Sequence, residues 1–251
     1  MIYKEEIVIS EKKLRNKTIL SFTVLVLLLV AAVFVWIKLH QQPLVAGALR
    51  PLRTVLNGNG VFFSNFISNN HLAKSYPVSA ATKKVRVNGS TGMSSDFDPS
   101  TWKLKVIRQP GDTLFLTLDD IKALPKTEIV FDFKCIEGWS QITHWAGVKF
   151  SDFAAKYNLE AQTQMNYVSL VTPDKKYYVG IDMPSIMHPQ TLLCYEMNDA
   201  PLPLNQGYPL RLMIPVKYGI KSLKRIGTIS FSLERPRDYW YERGYDYFSG
   251  L

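Results

Sequence analysis

Hydrophobic and polar positions along this chain fall into two regimes. From Thr18 to Ile37 the sequence reads TILSFTVLVLLLVAAVFVWI, with no formal charge and no polar face. At about 1.5 Å of rise per residue, a helix of this length matches a hydrocarbon core of about 30 Å. The interior helix of a soluble domain rarely runs so long without a polar stripe. A cleaved signal peptide has a shorter apolar region, about 7–15 residues, ending in small residues. Here the run ends at Trp36 and continues into Lys38, Leu39 and His40, and no twin-arginine pair precedes it. The pattern predicts an uncleaved transmembrane anchor over 18–39. Lys12, Lys13, Arg15 and Lys17 stand directly before it, and after Lys38 little charge appears until Arg50 and Arg53. The positive-inside bias then keeps residues 1–17 in the cytoplasm and exports the chain beyond the anchor. In a bacterium this means a single-pass anchor in the inner membrane with a domain facing the periplasm.

Residues 40–83 read as a linker with local structure, punctuated by Asn57-Gly58-Asn59-Gly60 and Asn69-Asn70. Within it, LRPLRTVL is amphipathic enough to lie on the membrane surface or against the domain. From Lys84 the pattern changes to short runs between turn residues. Trp102 to Val106 alternates as a half-buried strand does, and Glu128 to Phe133 is a strand running into Cys135. A short helix is expected after Leu116, capped by Thr117 or Asp119 and ended by Pro125. Lys149 to Tyr157 has helical spacing. Strands are expected at Tyr167–Val171, Tyr177–Ile181, Leu210–Pro215 and Ile226–Leu233. The expectation is one α+β domain with mixed sheets over 84–251.

Composition narrows the chemistry. With 47% hydrophobic and 20% charged residues the chain can bury a core, which excludes a disordered or fibrous protein. Two cysteines exclude a disulfide-dense scaffold and a four-thiolate zinc site. The net charge of +9 is spread without a long basic run, and an exported domain does not suit nucleic acid. The stretch FDFKCIEGWSQITHWAGVKF sets Cys135 at a strand end beside Lys134, Glu137, Gly138 and Trp139. A lone cysteine is commonly a small buried hydrophobe. Pairing with Cys194 is a second reading in an oxidising compartment. Polar and small neighbours favour a third, a cleft in which a thiolate beside a lysine serves as nucleophile or metal ligand.

These residues carry a resemblance. Cys135-Ile136-Glu137-Gly138-Trp139-Ser140 resembles the molybdenum-ligand segment of the sulfite oxidase superfamily, in the bacterial branch that includes the periplasmic methionine sulfoxide reductase catalytic subunit. The run from Gly207 to Lys224 resembles the family's pterin-phosphate loop. Met187-His188-Pro189 and Glu234-Arg235-Pro236 are also similar to family segments, so the likeness spans roughly residues 84–251 in order. It implies a sulfite-oxidase-type molybdopterin-binding domain with a molybdenum–molybdopterin cofactor. Cys135 would be the metal's protein ligand, a soft thiolate suited to such a metal, with Glu137 and Tyr245 as further catalytic candidates.

The resemblance further implies that Asn88, Thr172, Gln206, Arg211, Lys217, Lys221, Ser222 and Lys224 bind the cofactor, because a pterin phosphate calls for cations and free backbone N–H groups. Thr91 and Gly92 stand where better-known reductases have Tyr-Glu. His188 is expected to be a structural hydrogen-bonding residue and His144 to lie on the surface. Glu137 would repel sulfite, which favours reduction of a neutral S-oxide or N-oxide such as methionine sulfoxide. Sulfite oxidation and a non-catalytic module of the same fold are the alternatives. No Cys-x-x-Cys-His haem motif and no Rossmann or Walker glycine pattern is present, so electrons are expected from a separate partner such as a membrane cytochrome.

Overall fold

The computed structural model describes residues 10–64 and 71–250. Helix α1 (Glu11–His40) starts at Ser10, whose side chain accepts from the Lys13 N–H, and buries none of its side chains. By length and apolar composition it can cross a membrane. The expected linker contains more than turns. A two-strand hairpin, β1 (Leu44–Val45) and β2 (Ala48–Leu49), leads directly into α2 (Arg50–Ser64). Asn69 and Asn70 lie outside the described residues.

Arg53 ties this hairpin and helix to the C-terminal segment. It is 2% exposed. Its guanidinium donates to the carbonyls of Val45, Ala46, Tyr241 and Tyr245 at 2.6–3.3 Å and lies 4.0 Å from the centre of the Tyr241 ring. Five donors in a planar fork can satisfy several carbonyls at once, which a lysine cannot.

The domain proper is two five-stranded sheets with a large apolar core and a second, smaller buried cluster around Ile129, Phe131, Trp145 and Met213. Its elements in order are β3 (Leu104–Gln109), β4 (Asp112–Leu116), α3 (Leu118–Lys122), β5 (Thr127–Lys134), β6 (Ser140–Lys149), α4 (Phe150–Lys156), α5 (Glu160–Thr163), β7 (Tyr167–Val171), β8 (Tyr178–Asp182), α6 (Met183–Ile186), β9 (Leu192–Met197), β10 (Ala200–Pro201), β11 (Arg211–Met213) and β12 (Thr228–Ser232). One sheet runs β10-β9-β6-β5 with β11 also on β9; the other runs β4-β3-β12-β7-β8. Only the β3–β12 pair is parallel among these ladders. β12 therefore enters between β3 and β7 and closes the second sheet from late in the chain.

The local logic follows the hydrophobic pattern. Leu104 and Val106 are buried while Lys105 is half-buried, as alternation requires. The Thr117 hydroxyl accepts from the Asp120 N–H, and the Asp120 carboxylate accepts from the Thr117 N–H, a reciprocal cap for α3. Phe150, Phe153 and Ala154 form the buried face of α4. His188 has the structural role expected of it. Its Nε2 lies 3.1 Å from the His71 carbonyl, and burial pushes its pKa down.

The expected surface position of His144 is corrected. It is 2% exposed, with Nε2 3.3 Å from Glu128. The reason is topological: β6 lies between β5 and β9, and Asn198 on the neighbouring turn reaches across to the carbonyls of Thr82 and Lys83. A histidine in an interior strand with chain crossing nearby is covered whatever its polarity.

Candidate cofactor site

The site is built on the turn joining β5 to β6. These strands pair down to Lys134 opposite Ser140, leaving Cys135 to Trp139 to reverse the chain. The Cys135 N–H donates to the Trp139 carbonyl at 2.9 Å, and the Gly138 N–H donates to the Cys135 carbonyl at 3.0 Å. Gly138 closes the turn at a φ of +87°, a left-handed conformation that glycine adopts without a Cβ penalty. The thiol is thus held at the end of a rigid hairpin. Cys135 is a free thiol, 6% exposed, and the Asn88 amide faces its Sγ at 3.7 Å. The Trp139 indole N–H donates to Glu137 at 3.1 Å. Hydrogen bonds from Asn88 and Trp139, with the nearby charge of Arg86, hold the Glu137 carboxyl below its usual pKa.

A pocket opens beside this turn. Cys135, Glu137, Asn88, Gln206, Arg211, Ser222, Lys224 and Tyr245 all line it. Segments remote in sequence therefore converge on one pocket. Arg211 stands on β11 opposite Cys194 of β9. Its Nη1 donates to the backbone and side-chain carbonyls of Gln206, both at 3.0 Å, and the guanidinium lies 4.4 Å from the centre of the Trp145 ring. Lys224 Nζ donates to the carbonyls of Asn88 and Gly89 at 2.6 Å, closing the pocket between its first and last segments.

Three expected cofactor contacts lie elsewhere. Lys217 forms a buried ion pair with Asp182 at 2.8 Å, and Lys221 forms one with Asp238. Neither lines the pocket. Both lysines are committed to carboxylates by the fold, which leaves them no charge to offer a ligand. Thr172 is buried behind the wall, donating to Asp174 at 2.6 Å and accepting from the Tyr177 N–H at 3.1 Å. Its side chain also occupies the space that a Cβ on Gly92 would need. It supports the loop in which Thr91 and Gly92 stand in place of the Tyr-Glu pair of other reductases, without reaching the pocket. The pocket also has walls that sequence reasoning did not single out, among them Arg86, Tyr177 and Trp240. Tyr177 gives its hydroxyl to the Ile220 carbonyl at 2.7 Å, and burial raises its pKa. Its only sequence signal was membership of a strand.

Charge pairing separates the two groups of cations. Among the described residues no carboxylate lies in ion-pair range of Arg211 or Lys224. Arg211 Nε is buried with no hydrogen-bond partner. Burial pushes the Arg211 pKa down to about 10, and burial with the Arg211 charge pushes Lys224 down to about 8. Two desolvated cations lining one pocket, neither paired with a carboxylate, fit an anionic group such as a pterin phosphate. With the Cys135 sulfur lining the same pocket, the residues present fit a phosphorylated ligand carrying a thiophilic metal.

A pH test follows. A lysine whose folded pKa is depressed binds fewer protons folded than unfolded between about 8 and its ordinary value. Cofactor-free protein should therefore gain stability from Lys224 as pH rises from 8 toward 10, and Lys224→Met should remove that part of the rise in thermal melts. In the loaded protein the same change should weaken cofactor retention by about 10-fold to 100-fold, the worth of one charge-assisted contact, read as pterin content after dialysis.

Comparison with known proteins agrees with this chemistry. Residues 91–240 match the family described as oxidoreductase molybdopterin binding domain. An Azospira oryzae protein assigned as the YedZ1 subunit of a protein-methionine-sulfoxide reductase is 34% identical over 183 residues, covering 72% of this chain and 69% of that one. The protein-methionine-sulfoxide reductase catalytic subunit MsrP of Campylobacter jejuni is 30% identical over 169 residues, covering 60% of this chain and 56% of that one. Mitochondrial sulfite oxidase of Rattus norvegicus is 29% identical over 181 residues, covering 61% of this chain and 33% of that one. The chain thus spans about half of MsrP and a third of the sulfite oxidase. By this match, and by its thiol and unpaired cations at one pocket, the chain belongs to the molybdopterin-binding oxidoreductases of the sulfite oxidase superfamily.

Proposed function

We propose that this protein is a membrane-anchored reductase that removes the oxygen atom from a neutral S-oxide, methionine sulfoxide foremost. The observation that carries the substrate class is Glu137. Its carboxylate stands on the turn next to Cys135, and its lowered pKa keeps it ionised. Arg86 lies 4.7 Å from the Trp139 ring centre on the same turn, so the entrance sets one negative against one positive charge. A neutral sulfoxide meets no repulsion from Glu137, whereas an anion placed beside Cys135 would.

When bound, the molybdenum cofactor supplies two-electron oxygen-atom transfer. The rest is the work of this chain. Cys135 would hold the metal through its thiolate, and the Asn88 amide stabilises negative charge on that sulfur. Arg211 and Lys224 would hold the cofactor's phosphate, with Gln206 and Ser222 fixing the Arg211 guanidinium. Tyr245 packs on Trp240 with ring centres 5.0 Å apart and is 38% exposed, so its hydroxyl can present a proton to the substrate oxygen. Reduction of a sulfoxide to a sulfide consumes two electrons and two protons and releases water. The electrons would come from a separate membrane cytochrome, and α1 would anchor the domain on the periplasmic side of the inner membrane.

The test is a pair of assays on protein purified from a molybdenum-cofactor-competent host. Sulfoxide-dependent oxidation of a reduced viologen should far exceed sulfite-dependent reduction of ferricyanide. Comparable sulfite rates would overturn the substrate class, and protein purified without molybdenum would favour a non-catalytic module. Glu137→Gln should lower the KM for sulfite about fivefold, as one partly solvated charge permits, with little change in KM for sulfoxide.

A further inference from the structure

Helix α2 turns two unlike faces outward and inward. Arg53 is buried, and Leu56, Asn57 and Gly60 are half-buried toward the domain. Asn57 accepts from the Tyr241 hydroxyl at 3.5 Å, and Gly60 lies against Asp246 and Phe248. About a quarter-turn round the helix from that face, Leu52, Val55 and Phe63 are 53%, 59% and 55% exposed. Their spacing of three and eight residues keeps them on one face. Continuing that apolar surface, Leu44 and Val45 of the preceding hairpin are 69% and 41% exposed. A surface helix of a soluble domain has the reverse polarity, apolar inward and charged outward.

Chain geometry says what lies against this face. The Arg50 N–H donates to the Pro43 carbonyl at 3.0 Å, so the hairpin brings the start of α2 back beside Pro43. Pro43 is three residues beyond His40, the last residue of α1, a reach of at most about 11 Å. His40 in turn is three helical residues beyond Ile37, about 4.5 Å along the axis. The polar headgroup layer on each side of a bilayer is about 5–8 Å deep. If α1 spans the bilayer, α2 must begin at or just above the headgroups. The exposed apolar residues run from its first turn to its last, so a helix standing upright would leave Phe63 about 20 Å out in water.

We propose that α2 lies flat on the membrane with Leu52, Val55 and Phe63 in the headgroup–acyl boundary, docking the catalytic domain to the lipid surface. This rests on the anchor reading of α1. Lipid is the occupant because the tether fixes the distance to it. The domain-facing side is the Arg53 clamp, whose acceptors Tyr241 and Tyr245 flank the pocket wall. The docking therefore fixes how that wall is held relative to the bilayer.

The experiment uses the full chain with Trp36→Phe, which removes the aromatic reporter in α1, reconstituted in nanodiscs of ordinary or brominated phosphatidylcholine. Leu52→Trp, Val55→Trp and Phe63→Trp are made singly. Each new tryptophan should lose emission in brominated discs beyond the loss shown by the parent, more strongly with bromine near the headgroup than at the tail end. The three positions should be quenched alike. Quenching at 52 alone, or at none while the protein stays in the discs, overturns the docking and leaves the anchor standing. Protein that does not enter the discs overturns the anchor and the docking together. Crosslinked pairs of chains through this face without lipid quenching assign it to a second copy and overturn the lipid assignment.

Discussion

Replacing Cys135 with serine should abolish sulfoxide reduction, by at least about 10³-fold as removal of an indispensable group does, while leaving the fold intact. The turn that carries residue 135 is held by its backbone, through the Cys135 N–H on Trp139 and the Gly138 N–H on the Cys135 carbonyl, and serine can keep both bonds. The side chain is small, and its sulfur accepts a long hydrogen bond from the Asn88 amide at 3.7 Å. Thermal stability should therefore move by less than about 1 kcal/mol. What changes is the donor: a soft sulfur becomes a hard oxygen. X-ray absorption on the loaded protein should show one fewer sulfur around molybdenum in the variant. An unchanged sulfur count would remove the ligand assignment, even if activity fell.

The largest effect on stability should come from a lysine that does not line the site. Lys221 is 1% exposed and pairs with Asp238, which is equally buried, and also donates to the Gly180 carbonyl at 3.1 Å. Asp238 accepts in turn from the N–H groups of Gly180 and Tyr241. Lys221→Met leaves that carboxylate buried without a counter-charge, which destabilises by about 3–5 kcal/mol. For a domain of this size the melting temperature should fall by about 6–20 °C. Adding Asp238→Asn should recover part of the loss, since the orphaned charge is then gone. Lys224→Met differs in kind, because it removes an unpaired cation and acts on cofactor retention. If Lys221→Met lowered pterin content with no change in denaturation midpoint, the structural role of the Lys221–Asp238 pair would be wrong.

These two lysines also show where sequence reading stops. In the run KYGIKSLK, lysines 217, 221 and 224 are alike in type and surroundings, and a phosphate-binding loop calls for such residues. What separates them is the acids they meet, Asp182 and Asp238, which lie far along the chain and in other elements. Tertiary pairing of this kind has no local signature. Cys135, Glu137 and Arg211 were picked out by a resemblance carried on short contiguous segments, and the structure sets them along one pocket; the Thr117 cap was readable because its partner is three residues away. His144 was not, since its burial depends on which strands flank β6. In α2 the residues packed on the domain and the exposed apolar ones sit about a quarter-turn apart on one helix, and a linear pattern could not assign the faces.

The insertion of β12 between β3 and β7 bears on biogenesis. The pocket wall draws on residues from Val85 to Tyr245, and the sheet behind it closes only when residues 228–230 find their place beside 105–107. A chain still emerging from the ribosome has neither. Long-range closure of this sort makes the cradle a late product of folding. The cofactor must be loaded into a finished domain, on whichever side of the membrane that domain folds. Where the protein folds thus decides where molybdopterin has to be delivered.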